Sequence, residues 1–357
     1  MASDRPRLVY LTHSVSKNRG GMELIGRDLM EHLSEAFDIT IVSGDPTASL
    51  PRGVRGIRVP LPARPAVARI WLYRWLAPLM SRRARREAEV VYSNGAVGRV
   101  DCDVTTIHLC HAMAVTEAHS ATRAARWARR AALALERRQL AAGAGQLVAV
   151  SRTVSDQVRS HYQRECLVIN NGIDVEHATA RRDRGEGPLR NIIVSHDFVA
   201  KGVTIAIDAV ALDANVTLTV VGAGDIEATT AYAESRGVAD RVAFLGSASS
   251  SDIPYGQHDV VLSLSGYESF GLTMVEGAAH GCVVVATDTG VAPDFAAAGG
   301  GIIVSRDSVD IARAWSRLAD ALTWESMSSA SQSVAATFDR REMRRAYQAL
   351  FERAVAS

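Results

Sequence analysis

The chain has 357 residues, of which 47% are apolar and 22% charged, with a formal net charge of +1. At about 100–200 residues per domain, this length predicts two domains, each able to bury its own core. The fractions exclude a mostly disordered, collagen-like or coiled-coil chain, and no apolar run approaches the roughly 18 residues of a spanning helix.

Short apolar runs alternate with amphipathic stretches, the signature of βα units and parallel sheets. In the first half, strands are predicted over 8–13, 38–43, 90–94, 104–108, 146–151 and 166–170, with helices near 22–35, 68–88, 119–142 and 152–161. Residues 181–190, RRDRGEGPLR, are polar with Gly and Pro and read as a linker. The alternation then restarts, with strands over 191–195, 217–221, 242–245, 260–264, 283–287 and 301–304 and helices between them and after 308. The expected organisation is a first α/β domain over 1–180, the linker, and a second over 191–338. No solenoid period is visible.

Met1 to Leu11 carries no stretch apolar enough for a signal peptide. Cys102, Cys110, Cys166 and Cys282 form neither a CxxC pair nor a zinc spacing. Reduced thiols in a cytoplasmic protein are expected. Residues 61–160 carry sixteen arginines against seven carboxylates, and only Lys17 and Lys201 are lysines in the whole chain. A lysine that survives such an arginine bias points to a need for a compact point charge.

Ligands of open parallel sheets bind outside the carboxyl ends of the strands. The polar residues just past the predicted strands are His13, the loop to Gly20-Gly21, His108, His196, Lys201, Gly222, Gly224 and Glu268. The loop SVSKNRGG (14–21) opens a helix, and its glycines suit either an anion or an ordinary βα turn. Neither it nor Gly222-Ala223-Gly224-Asp225 completes a GxGxxG fingerprint, which disfavours hydride transfer. The strongest local signal is Glu268-Ser-Phe-Gly-Leu-Thr-Met-Val-Glu276. A carboxylate pair grips polyhydroxyl ligands, and the amides of Phe270, Gly271 and Leu272 at a helix start suit phosphate. An interaction of Glu276 with the dipole in the first turn of that helix is the alternative.

Glu268 to Glu276, followed by GAAHGCVVVATDTG, resembles the E-x7-E motif of retaining glycosyltransferases of family 4. Other segments are similar to that family's landmarks in the same order: Gly20-Gly21-Met22-Glu23, Thr106-Ile107-His108, Val148-Ala149-Val150-Ser151, Asn170-Asn171-Gly172-Ile173-Asp174, Lys201-Gly202 and Val221-Gly222-Ala223-Gly224. The resemblance implies a GT-B fold, with two facing Rossmann-like domains of parallel sheet, an inter-domain cleft, and a C-terminal helix over 339–357 returning to the first domain. It implies that Glu276 holds a nucleotide ribose and Glu268 the donor sugar. Lys201 and the amides of Phe270, Gly271 and Leu272 would bind the diphosphate, with Gly21 touching it from the first domain. His108 would orient the sugar beside the anomeric centre, and Gly222 and the turn after Phe244-Leu245-Gly246 would lie near the base.

Three positions depart from the pattern. His196 stands where the family usually has an arginine before the KG lysine, so a pH-dependent donor replaces a permanent charge unless a nearby arginine substitutes. Gly281-Cys282-Val283-Val284 lacks the usual proline, and Thr289-Gly290 with Pro293-Asp294 replaces a glycine pair near the donor sugar. His108, Cys110 and His111 lack a completing pair for a metal, and the resemblance implies metal-independent catalysis.

Residues 70–86 mix Trp71, Tyr73 and Trp75 with a basic end, and 123–138 form a basic amphipathic helix. A solvated arginine face is the first reading, an anionic membrane surface the second and nucleic acid a distant third. The expected function is retaining transfer of a sugar from a nucleoside diphosphate, UDP- or GDP-linked, to a hydroxyl of a lipid-linked or cell-envelope glycan or a small-molecule aglycone. No further cofactor or nucleic acid is expected, and the place would be the cytoplasm, including the inner membrane face. The alternatives are a non-transferring GT-B enzyme such as a nucleotide-sugar epimerase, or a catalytically silent binding module.

Overall fold

The computed structural model describes residues 5–14, 21–45, 50–51, 53–62, 66–95, 97, 100–116, 123–141, 145–177 and 184–356. Most of the loop 14–21, including Lys17 and Gly20, and the start of the linker at 181–183 lie outside them. The chain divides into two compact units, Met1–Gly172 with Arg341–Ser357, and Ile173–Arg340. The division falls at Gly172 rather than near 180 because Ile173 is already tied to the second unit. Its N–H donates to Phe338 O at 2.8 Å, and its carbonyl accepts from Arg340 N–H at 2.9 Å.

In the first unit, β1 (Arg7–Leu11), α1 (Gly21–Leu33), β2 (Asp38–Ser43) and β3 (Arg55–Arg58) come first. Then follow α2 (Ala66–Met80), α3 (Arg82–Arg86), β4 (Val90–Asn94), β5 (Val104–Ile107), α4 (His111–Thr116), α5 (Arg123–Ala141), β6 (Gln146–Ala149), α6 (Arg152–Tyr162) and β7 (Leu167–Val168). All strands pair parallel in the order β3-β2-β1-β4-β5-β6-β7. β3, sequence RGIR, is mostly exposed and has no apolar alternation, so it was not legible as a strand. The single helix expected over 68–88 is interrupted at Ser81. Pro78 removes a helical N–H, and Ser81 Oγ donates to Ala77 O at 2.6 Å.

In the second unit, β8 (Leu189–Val194), α7 (Val203–Leu212), β9 (Val216–Val221), α8 (Ile226–Ser235) and β10 (Val242–Gly246) precede β11 (Val260–Ser263), α9 (Leu272–Ala279), β12 (Val283–Ala286), α10 (Ala292–Ala297) and β13 (Gly301–Ile303). α11 (Ser308–Leu318) and α12 (Ala321–Ala336) follow. Strand order is β10-β9-β8-β11-β12-β13, all parallel. The chain order therefore reverses between β8 and β11, and that is where such sheets open a ligand crevice. Asp259, buried at the start of β11, clamps the two strands from their amino ends. It accepts from Arg190 Nη2 at 2.8 Å and from Arg190 Nε at 3.0 Å.

The last helix, α13 (Arg340–Ala356), packs on the first sheet. Tyr347 OH bonds Thr106 Oγ1 at 2.9 Å, Arg344 Nε donates to Asp28 at 3.0 Å, and Phe351 meets Phe37 edge-on. All four cysteines are free thiols. No helix among the described residues is long and apolar enough to cross a membrane.

Candidate active site

The switch point of the second sheet brings together Lys201, from the loop after β8, and Glu268, from the loop after β11. Their Nζ and Oε1 form an ion pair with both side chains partly exposed. Gly202 makes the approach possible. It caps α7 with φ +74°, and a Cβ there would lie 2.9 Å from Leu264 Cβ at the end of β11. Ser265 Oγ donates to Glu268 Oε1 at 2.9 Å and fixes the carboxylate from its own loop. The same loop is joined to the loop after β12. Gly290 N–H donates to Glu268 O at 3.1 Å and Val291 N–H to Phe270 O at 2.9 Å. Gly290 has φ +58°, and a Cβ there would overlap Phe270 O, so the departure Thr289-Gly290 keeps the glycine the contact needs.

Phe270 is buried, with its ring edge-on to Phe338 at 5.4 Å, which anchors the chain as it enters α9. Gly271 is the left-handed N-cap, and Met274 N–H bonds its carbonyl at 3.0 Å. The first amides of α9, from Leu272 on, point out of the helix start, where an anion is favoured.

Glu276 is the fifth residue of α9, in its second turn, not the first turn expected from the sequence. A helix-dipole role therefore loses most of its force, since that effect fades beyond the first turn. Its Oε1 accepts from Ser250 Oγ at 2.9 Å and its Oε2 from Tyr255 OH at 3.0 Å. Burial raises the Glu276 pKa, and the two hydroxyl bonds oppose that rise. Tyr255 is itself buried and pushed far up by burial and by the Glu276 charge, so it remains a donor.

His196 is exposed, and among the described residues it makes no hydrogen bond or ion pair. It is neither hydrogen-bonded nor ion-paired to Lys201 or Glu268. An arginine does reach that loop. Arg306, past β13, donates to Ala200 O at 2.9 Å and Val199 O at 3.4 Å. Gly222 follows β9, and its N–H donates to Gly246 O at 2.7 Å, which joins the two turns expected near a base.

In the first unit the order reverses between β1 and β4, and the polar groups gather there. His108, just past β5, is buried, and its Nε2 lies 2.6 Å from Asn94 Oδ1 at the end of β4. That oxygen is an acceptor, so the ring proton sits on Nε2 and Nδ1 is left as an acceptor. Burial lowers the His108 pKa to about 4, so the ring is neutral at physiological pH. A cavity of about 310 Å³ opens beside it. Ile70 of α2 and Ala132, Leu135 and Leu140 of α5 give it an apolar side, and His13 and Glu136 add polar groups. Gly21 is the first residue of α1.

Sequence reading missed Asn94, Ser250, Tyr255, Ser265 and Arg306. Ser265 and Arg306 stand past strand ends and Asn94 is the last residue of one, so a fuller list of strand-end positions would include them. Ser250 and Tyr255 carry no such signal.

The titration of His108 makes a measurable contribution. Its folded pKa lies below the unfolded value of about 6.5, so between those values the unfolded chain binds more protons. The resulting stability is complete above pH 6.5 and is lost as pH falls to about 4, up to about 3 kcal/mol. Denaturant unfolding across this range should show a smaller loss in His108→Gln than in the wild type, the remainder coming from groups such as His111 and His258, whose pKa values burial also lowers.

Two family descriptions match the chain in succession, Glycosyltransferase Family 4 over residues 19–177 and Glycosyl transferases group 1 over 178–327. No curated protein matches it by sequence. Among solved structures it is similar to sucrose-phosphate synthase from Thermosynechococcus elongatus, at 17% identity and a TM-score of 0.82, covering 99% of this chain and 100% of that one. It is also similar to WaaG, a glycosyltransferase involved in lipopolysaccharide biosynthesis (19%, TM-score 0.78, 96% and 98%). Anabaena HepE in complex with UDP is a third (22%, TM-score 0.72, 96% and 98%). Two parallel α/β units with this strand order, matched end to end by the two descriptions, place the chain in the family 4 glycosyltransferases with the GT-B fold.

Proposed function

We propose that the protein is a retaining glycosyltransferase that moves a hexose from a UDP- or GDP-linked donor to an acceptor hydroxyl without a metal ion. The observation that carries this reading is the Lys201–Glu268 pair at the switch point of the second sheet, with the Glu276 carboxylate in the helix that follows. Glu276 would accept hydrogen bonds from the two ribose hydroxyls. Lys201, the first amides of α9 and His196 would meet the diphosphate. Glu268, released from Lys201 by the phosphate, would accept from hydroxyls of the sugar. HepE was solved with UDP and with UDP-glucose, which supports a uridine donor here.

Breaking the anomeric C–O bond leaves negative charge on the diphosphate and oxocarbenium character on the sugar. Lys201 and the helix amides oppose the first. The acceptor oxygen would bond the anomeric carbon on the face the diphosphate leaves, and the departing phosphate oxygen would take the acceptor proton. His108 is neutral and serves as a hydrogen-bond acceptor through Nδ1, not as an acid. The apolar side of the cavity beside it favours an acceptor with an apolar group, either lipid-linked or a small aglycone.

The test is product stereochemistry. An α-linked UDP- or GDP-hexose incubated with the enzyme and an acceptor should yield an α-linked product by its anomeric proton coupling. A β-linked product would refute retention, and epimerised donor formed without any acceptor would refute transfer.

A further inference from the structure

Six of the sixteen exposed large apolar side chains among the described residues lie on two packed helices of the first unit: Trp71, Leu72, Trp75, Leu79 and Met80 on α2, and Trp127 on α5. Trp71, Trp75 and Leu79 recur every fourth residue and form one stripe. The core-facing side of α2 is already supplied by Tyr73 and Ala77, both buried, with Tyr73 OH donating to Val42 O at 2.9 Å. The stripe is therefore additional to the fold. The other two tryptophans, Trp315 and Trp324, are buried in the second unit, so exposure is not this chain's general use of tryptophan. Exposed apolar side chains gathered on two packed helices mark an interaction surface.

The charge around it is mainly positive, with Glu87 at the end of α3 paired to Arg83 at 3.0 Å. No carboxylate occurs between residues 46 and 86, and Arg82, Arg83 and Arg86 of α3 are exposed. α5 exposes Arg126, Arg130, Arg137 and Arg138, and its one carboxylate, Glu136, is buried and accepts from His111 N–H and Tyr162 OH. Arg74 is buried under the stripe, 5.1 Å from the Trp71 ring and 5.7 Å from that of Trp75. Its Nε has no hydrogen-bond partner, and no ion pair to it occurs among the described residues. A buried guanidinium with an unpartnered Nε favours an anion beside it.

A second copy of the chain would set arginine against arginine. A nucleic acid would use the arginines and leave Leu72, Leu79 and Met80 in water. Tryptophans above aliphatic side chains, ringed by arginines, match the boundary between acyl chains and anionic headgroups. We propose that this face of α2, α3 and α5 docks the protein on an anionic phospholipid bilayer, with a headgroup phosphate as the counter-anion of Arg74. Ile70, which lines the cavity beside His108, directly precedes Trp71, so docking would place that cavity's wall at headgroup depth.

The proposal goes beyond sugar transfer and is tested without it. Flotation with vesicles of phosphatidylcholine, with and without phosphatidylglycerol, should show binding only where phosphatidylglycerol is present. Added salt should weaken the binding, and tryptophan emission should shift to the blue on mixing. R82E/R86E should bind about tenfold or more weakly, because each basic residue near the surface contributes. L79S/W127S, which leaves the Arg74 contacts intact, should lose the same affinity while keeping the wild-type Tm and its affinity for UDP-glucose. Equal binding to both vesicles, unchanged binding in both variants, or retention of duplex DNA or self-association without vesicle binding would each overturn the proposal.

Discussion

Alanine at Glu276 is expected to weaken nucleotide-sugar binding by about a hundredfold or more, and glutamine there to leave the unliganded fold at least as stable as the wild type. The argument for the loss is the number and kind of bonds removed. A carboxylate accepting from two ribose hydroxyls makes two charge-assisted hydrogen bonds, each contributing about 1.5–3 kcal/mol. Two such bonds span roughly two to four orders of magnitude in Kd. Glu276→Gln keeps one acceptor oxygen and so should retain part of the affinity.

The stability half of the expectation follows from burial. Burial raises the Glu276 pKa, so the fold disfavours its ionised form. The folded pKa lies above the unfolded one. In that window the folded protein holds the extra proton, and stability falls as pH rises through it. A neutral side chain removes this penalty, and Tm at pH 7–8 should stay level or rise in Glu276→Gln. Titration calorimetry with UDP- and GDP-sugars and a thermal melt of the free protein check the two halves separately. Unchanged affinity in the glutamine variant would assign Glu276 to the helix alone and remove the ribose role.

The contrast between Glu276 and its partners shows what a sequence discloses. Glu268, Lys201 and His108 were legible because each stands just past a strand whose apolar run is unmistakable, and parallel sheets put their chemistry at those ends. The strands β11 and β12 read clearly because both faces are covered and the valines run on without alternation. β3 is an exposed edge strand, and α4 is only six residues long, so neither has the periodicity that betrays an element. Tyr255 lies in a short 3-10 turn 21 residues before Glu276, and only the packing of that turn under α9 gives its hydroxyl a partner. Local patterns report which groups line a strand end. They do not report which distant group satisfies them. His196 illustrates the converse. Its position past β8 was legible, but its lack of a hydrogen bond to the Lys201–Glu268 pair was not, and neither was the approach of Arg306, past the edge strand β13, to the same loop.

Lys201→Met is expected to lower kcat by about two to three orders of magnitude, with a smaller change in KM. Positive charge beside the leaving diphosphate matters most when the anomeric bond breaks, because charge on the phosphate grows along that coordinate. Removing one such group from a preorganised site typically costs on the order of a hundred- to a thousandfold. Lys201 cannot be replaced freely by arginine, since a planar fork needs a different geometry from an ammonium that must leave Glu268 for a phosphate. In the unliganded protein Lys201 and Glu268 neutralise one another, so each side chain conceals part of the other's contribution. The double variant Lys201→Met with Glu268→Gln should therefore lose less activity than the two single losses multiplied together, as expected for groups that act as a unit. Steady-state kinetics on the four proteins closes this cycle. Strictly multiplicative losses would mean that the two residues act on separate parts of the reaction, and the exchange of Lys201 from carboxylate to phosphate would have to be abandoned.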